Sequence, residues 1–259
     1  MPRESRRALI TGAGSGIGRA LAVEAASRGI RVTLTGRRHD ALDATARLIG
    51  TQVETLTIPA DITIGSDRRA LAAKIAERWG ALEFLFNNAG VVEGGPVKAS
   101  GDEALERVFA TNVIAPIALA RDFFPLLLRA KPARVVNIGS VFGDIPYPGF
   151  AAYSASKFAL RGFSTALRRE WAETGIGVTY AAPRATRTDA AAAFSALVEA
   201  AKMTLDPPEL VARQIWDAVE RGDQSVYPRG AERVFVLIQR LFPRLVDRAL
   251  AKQTAALAN

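Results

Sequence analysis

Short apolar, β-branched runs alternate with longer amphipathic stretches along most of this chain. The runs Ala8 to Thr11, Arg31 to Thr35, Val53 to Ile58, Leu82 to Phe86, Val135 to Ile138 and Gly177 to Ala181 predict strands. Between them, apolar positions recur at helical spacing over Ile17 to Ser27, Asp40 to Leu48, Asp67 to Trp79, Asp102 to Arg129 and Ala152 to Glu173. Strands alternating with helices argue for an α/β fold, a doubly wound parallel sheet with helices on both faces. Ligands of such sheets bind beyond the carboxyl ends of the strands. The loops after Thr11, Thr35, Phe86, Ile138 and Ala181 should therefore line one site. No repeat, linker or low-complexity tract breaks the pattern, so residues 1–259 are expected to form one domain.

Composition narrows the chemistry. Apolar residues make up 49% of 259, enough for a full core without crosslinks. There is no cysteine, which removes disulfides and thiol catalysis, and the only histidine is His39. No apolar run of about 18 residues is present, so a membrane-spanning helix is not expected. The N-terminal residues MPRESRRALI lack the apolar stretch of a signal peptide, and a cytoplasmic location is expected. The net charge of +8 favours anionic partners, yet no nucleic-acid-binding signature accompanies it, and no nucleic-acid partner is expected.

Two motifs point to a reaction. Thr11-Gly12-Ala13-Gly14-Ser15-Gly16-Ile17-Gly18 follows a predicted strand and opens a predicted helix. Glycines there let the backbone approach a pyrophosphate, and the helix N-terminus offers free N–H groups. Ile17 stands where a strict GxGxxG would have its third glycine. Further on, Tyr153 and Lys157 are four residues apart, on one face of a helix. An ammonium beside a phenol favours the phenolate, which makes tyrosine a usable proton-exchange group. Ser140 lies thirteen positions upstream.

Five motifs in order over roughly residues 8–190 resemble the short-chain dehydrogenase/reductase family. They are TGxxxGxG at Thr11 to Gly18, NNAG at Asn87 to Gly90, Asn112 in Thr111-Asn112-Val113, Ser140 after Asn137-Ile138-Gly139, and YxxxK at Tyr153 and Lys157. The resemblance implies a single Rossmann domain and an oxidoreductase that moves a hydride between a nicotinamide and a carbonyl or secondary alcohol. It implies that Tyr153 acts as general acid or base, that Lys157 lowers its pKa and bonds the nicotinamide ribose, and that Ser140 bonds the substrate oxygen. For Asn112 it implies a water relay towards Lys157, against a purely structural role as a polar residue at a helix kink. Cofactor contacts are implied for Gly12, Ser15, Gly16, Ile17, Gly18, Asp61, Ile62, Asn88, Ala89, Gly90, Tyr153, Lys157, Pro183, Thr186 and Thr188. NAD-binding relatives end their second strand on a carboxylate. Here Gly36 is followed by Arg37 and Arg38, which favours the extra phosphate of NADP(H). His39, beside them, is read as solvated. Family pairing of the helices at 102–129 and around Tyr153, with Phe123, Phe124, Phe158, Phe163 and Trp171 among their residues, implies a homodimer or homotetramer. A catalytically idle NADP-binding regulator is the alternative, disfavoured by the intact Ser140, Tyr153 and Lys157; nothing specific supports an isomerase or lyase.

The chain departs from the family in two places. Arg184 stands where a glycine usually follows Pro183, and either contacts an anionic substrate group or points to solvent. The aromatic loop Gly143 to Phe150, with Tyr147 and Phe150, is expected to wall a pocket for a lipophilic or aromatic substrate, and residues 190–206 to form a substrate lid. Over residues 229–259 a basic, amphipathic segment carries six cations against two carboxylates, half of the chain's net charge. Pro243 should split it into two helices. Three readings stand: a helical pair on an anionic membrane surface, a cover for the pocket or an oligomer contact, or an ordinary helix packed on the core.

Overall fold

The computed structural model describes residues 6–188, 205–228, 230 and 232–257. Strands β1 (Arg7–Thr11), β2 (Arg31–Gly36), β3 (Thr55–Pro59), β4 (Phe84–Asn87), β5 (Ala133–Ile138), β6 (Ile176–Ala181) and β7 (Ser225–Val226) form one sheet in the order β3-β2-β1-β4-β5-β6-β7. Every pairing in it is parallel. The chain starts at the centre, winds out to β3, then returns past β1 to β4. The β1/β4 junction is therefore the switch point, where a crevice opens at the carboxyl ends of the strands.

Alternate residues of the central strands β1, β4 and β5 feed two cores. Ala8, Ile10, Phe84, Phe86, Val136 and Ile138 face one side, with helices α1 (Gly16–Ser27) and α7 (Pro208–Arg221) packed over them. Leu9, Leu85 and Val135 face the other, under α3 (Gly65–Trp79), α5 (Ala115–Arg129) and α6 (Ala151–Glu170). Apolar residues on both faces explain why the strands read as continuous apolar runs. Trp216 of α7 is fully buried, with its ring 4.6 Å from Phe86 and 5.1 Å from Phe84. Its indole N–H donates to the Leu21 carbonyl at 3.0 Å, so burying the ring leaves no polar atom stranded there. Burying one such side chain contributes about 2–3 kcal/mol, which makes this contact a main tie between α7 and the sheet.

The predicted strands and helices are all present, with ends displaced by a few residues. The expected continuous helix over 102–129 is α4 (Asp102–Phe109), a π-helical turn at Ala110–Ile114, and α5. That stretch is long and apolar enough to cross a membrane by length and composition, contrary to expectation. Its apolar content is spent here on the sheet, where Leu119, Phe123 and Leu127 are buried. Of the aromatic residues expected between subunits, Phe123 and Trp171 are buried in the chain's own core, and Phe124 packs on Trp171 at 5.0 Å. Phe163 is partly buried in the same core, while Phe158 is exposed, as are Ile114 and Ile117. After α7 and β7 come α8 (Glu232–Leu241) and α9 (Pro243–Leu257), split at Pro243 as its fixed φ and missing N–H predict.

Candidate active site

A cleft of about 730 Å³ opens at the carboxyl ends of the strands, across the β1/β4 switch point. Every residue assigned to the cofactor from the sequence lines it. Gly12, Gly14 to Gly18, Arg37, Arg38, Asp61 and Ile62 lie along it with Asn88 to Gly90, and Ser140, Tyr153 and Lys157 share it with Pro183, Arg184, Thr186 and Thr188.

The glycine turn is built by hydrogen bonds between two loops. Thr11 Oγ1 donates to the Phe86 carbonyl at 3.1 Å and accepts from the N–H groups of Asn88 and Ala89 at 2.9 Å each. Asn88 Nδ2 donates back to the Thr11 carbonyl at 2.8 Å. Gly16 has φ +53° and opens α1. At Gly18 a Cβ would stand 2.2 Å from the Gly12 carbonyl oxygen, so only glycine lets the helix close on the turn. The first turn of α1 thus presents unpaired N–H groups to the cleft, with no side chain capping them. A pyrophosphate suits that donor set. Thr188 borders the same spot: a Cβ on Gly16 would lie 2.9 Å from its methyl group.

At the β2 end, Arg37 and Arg38 are exposed and line the cleft, and Arg38 donates to Ser15 Oγ at 3.3 Å. Burial alone would raise the Asp61 carboxyl, but hydrogen bonds from Thr63 and the Arg37 charge outweigh it and hold it below its ordinary value. His39 is exposed and stands 3.4 Å from Asp43, at the start of helix α2 (His39–Ile49).

At the other end, Ser140 caps a 3-10 turn (Val141–Gly143), its Oγ accepting from the Phe142 N–H at 3.1 Å. Tyr180 Oη donates to the Ser140 carbonyl at 3.2 Å from below. Tyr153 and Lys157 lie one turn apart on α6, both buried. Burial pushes the Tyr153 phenol up to about 12, opposed by its hydrogen bond with Ser140. Burial pushes the Lys157 ammonium down to about 8. This corrects the expected depression of the phenol pKa. Burial disfavours both charged forms, and Lys157 Nζ donates to the Ile138 carbonyl at 3.0 Å while lying 5.6 Å from the phenol ring centre. The phenol therefore keeps its proton through the neutral range.

Asn112 lies in the π-helical turn and is buried. Its Oδ1 accepts from Val91 N–H at 2.8 Å, and its Nδ2 donates to the Val91 carbonyl at 2.9 Å and to Ser156 Oγ at 3.0 Å. A Cβ on Gly90 would sit 3.2 Å from Asn112 Oδ1 and 3.6 Å from Lys157 Nζ, so the two groups flank one small space. Sequence reasoning missed Ser156, which donates to the Tyr153 carbonyl at 2.7 Å and links Asn112 to the tyrosine's helix. It also missed Tyr180 and the apolar lining residues Val91, Val92 and Phe142.

Three expectations change. Tyr147 and Phe150 do not line the cleft; Phe142 does, stacked on Tyr147 at 5.5 Å and packed on Phe150 at 5.7 Å, so both stand behind it. Arg184 lines the cleft, but its guanidinium grips Asp206 through two bonds of 2.8 and 2.6 Å. The anion it meets is the chain's own, held in place by a bridge between Thr186 and Asp206. The lid expected at 190–206 lies outside the described residues apart from Leu205 and Asp206. Among the described residues, none of 232–257 lines the cleft, so the reading of this segment as a pocket cover gains no support.

A family model described as "short chain dehydrogenase" matches residues 6–198. The chain is 31% identical to a putative oxidoreductase, SadH, of Mycobacterium tuberculosis, over 96% of each chain. Its structure resembles a short-chain dehydrogenase/reductase of Burkholderia phymatum in complex with NAD, with a TM-score of 0.87, 27% identity, and coverage of 95% of this chain and 96% of that one. A short-chain dehydrogenase of Sphingobium yanoikuyae in complex with NADPH matches with a TM-score of 0.79 and 28% identity, over 93% and 96%.

Proposed function

Because the chain belongs to the short-chain dehydrogenase/reductase family, we propose that it reduces the carbonyl of a lipophilic or aromatic small molecule with NADPH, or runs the reverse oxidation. The observation that carries this reading is the meeting of Ser140, Tyr153 and Lys157 in a cleft that also holds Arg37 and Arg38, with no carboxylate at the end of β2.

The nicotinamide supplies the hydride chemistry. The protein's part is to place a carbonyl and give it a proton. Ser140 Oγ, fixed at the head of its 3-10 turn, donates to the carbonyl oxygen and stabilises the charge that develops there. Tyr153, protonated at neutral pH, delivers the proton to that oxygen. Lys157 would hold the ribose side of a bound cofactor, and it offers a positive charge to the phenol once the phenol gives up its proton. Asn112 acts at one remove: through Ser156 and Val91 it fixes the helix that carries both groups. Val91, Val92 and Phe142 give the substrate end an apolar wall, which favours an apolar group next to the carbonyl.

Arg37 and Arg38 set the coenzyme preference. Replacing both by alanine is expected to weaken kcat/KM for NADPH by about 10- to 100-fold, the loss of one or two charge-assisted bonds to phosphate, and to leave NADH nearly unchanged. Steady-state kinetics with both coenzymes reads this; equal effects on the two would remove the arginines from the phosphate site.

A further inference from the structure

Helix α8 leaves most of its apolar side chains uncovered. Val236 is buried, and Arg240, one turn on and on the same side, donates to Asp144 at 2.8 Å. Around the rest of the helix Val234, Phe235, Leu237 and Leu241 are each 52% to 61% exposed. The apolar stretch continues past the break at Pro243 into Phe242 and Leu245, 59% and 56% exposed. An outer helix of a globular domain ordinarily confines its apolar residues to one stripe and points that stripe inward. Contiguous exposed apolar side chains of this extent mark an interaction surface.

The charges beside them say what it meets. Arg244 and Arg248 are exposed and one turn apart on α9, next to Leu245. The sequence adds Arg233 and Lys252, against Glu232 and Asp247. Two copies of this face would bring like charges together, whereas an anionic headgroup layer would neutralise them while the apolar side chains enter the acyl boundary.

We propose that α8 and α9 form a peripheral docking surface for an anionic lipid bilayer. The surface is tied to the substrate end of the cleft. Asp144, its carboxylate fully buried, pairs with both Arg240 of α8 and Arg161 of α6, and follows directly on the turn bearing Ser140 and Phe142. Docking thus engages an element that this ion pair joins to the turn bearing Ser140. The docking itself does not depend on the proposed reaction.

Co-sedimentation of the full chain with phosphatidylcholine vesicles, with and without phosphatidylserine, tests this. The wild type should pellet with the anionic vesicles at low salt and be released by high salt. Leu237→Ser/Leu241→Ser/Leu245→Ser and Arg244→Glu/Arg248→Glu should each lose about tenfold or more of the binding, with NADPH affinity and thermal midpoint retained as evidence of intact folding. Equal pelleting of wild type and both variants, or none with either vesicle, would overturn the proposal. Loss of an oligomer on gel filtration in the serine variant, without vesicle binding by the wild type, would assign the face to a second copy and overturn it too.

Discussion

Tyr153→Phe should lower kcat/KM for carbonyl reduction by about 10²- to 10⁴-fold, the range that positioned proton transfer contributes. The substitution keeps the ring and its packing on Phe142 at 6.2 Å and removes only the hydroxyl. NADPH affinity should therefore change little, and stability by about 1 kcal/mol, for the lost hydrogen bond with Ser140. Kinetics and a thermal melt on the same preparation separate the two effects. Retention of more than half the activity would show that the proton comes from elsewhere.

The second large effect is structural. Gly18→Ala would place a methyl group 2.2 Å from the Gly12 oxygen and 2.4 Å from Asn88 Nδ2. Neither neighbour can yield cheaply. Gly12 belongs to the turn, and Asn88 Nδ2 is the donor that fastens Thr11 to the next loop. The turn must open, with a stability loss of about 2–3 kcal/mol, typical of overpacking against backbone, and near-complete loss of NADPH binding. Gly162→Ala is the control. It lies in α6 with open space where its Cβ would go, and should be neutral or stabilise by up to about 1 kcal/mol. Calorimetry with and without NADPH distinguishes the outcomes; unchanged NADPH binding by Gly18→Ala would mean that the turn does not cradle the cofactor.

The alternation of apolar runs with amphipathic stretches carried the fold, because the central strands are buried on both sides and the helices packed on the sheet each have a face to cover. The glycine turn at the end of β1 was legible for a similar reason: Thr11, Gly12, Gly16 and Gly18 lie within a few positions of one another, so their spacing records their geometry. What escaped was long-range. Asp206 lies 22 residues from the Arg184 it grips, and Asp144 lies 96 residues from Arg240. No local pattern encodes either pair. The aromatic loop was assigned as a whole to the pocket wall, but the turn after Ser140 sends Phe142 forward and leaves Tyr147 and Phe150 behind it. The phenol's pKa was expected to fall because sequence shows a neighbouring ammonium and not the burial of the side chain, which here pushes it the other way. The π-helical turn at Asn112 was likewise invisible, as were the partners of its side chain, Val91 and Ser156, 21 and 44 residues away.

Transfer of label settles whether this cleft performs the proposed reaction. The protein is incubated with NADPH deuterated on the transferable position of the nicotinamide and a panel of apolar ketones and aldehydes, and the alcohols are analysed by mass spectrometry and NMR. One deuterium on the carbinol carbon, from one face of the nicotinamide, and its loss in Tyr153→Phe, is the predicted result. Tight NADPH binding with no label in any product would contradict it and point instead to a cofactor-binding regulator.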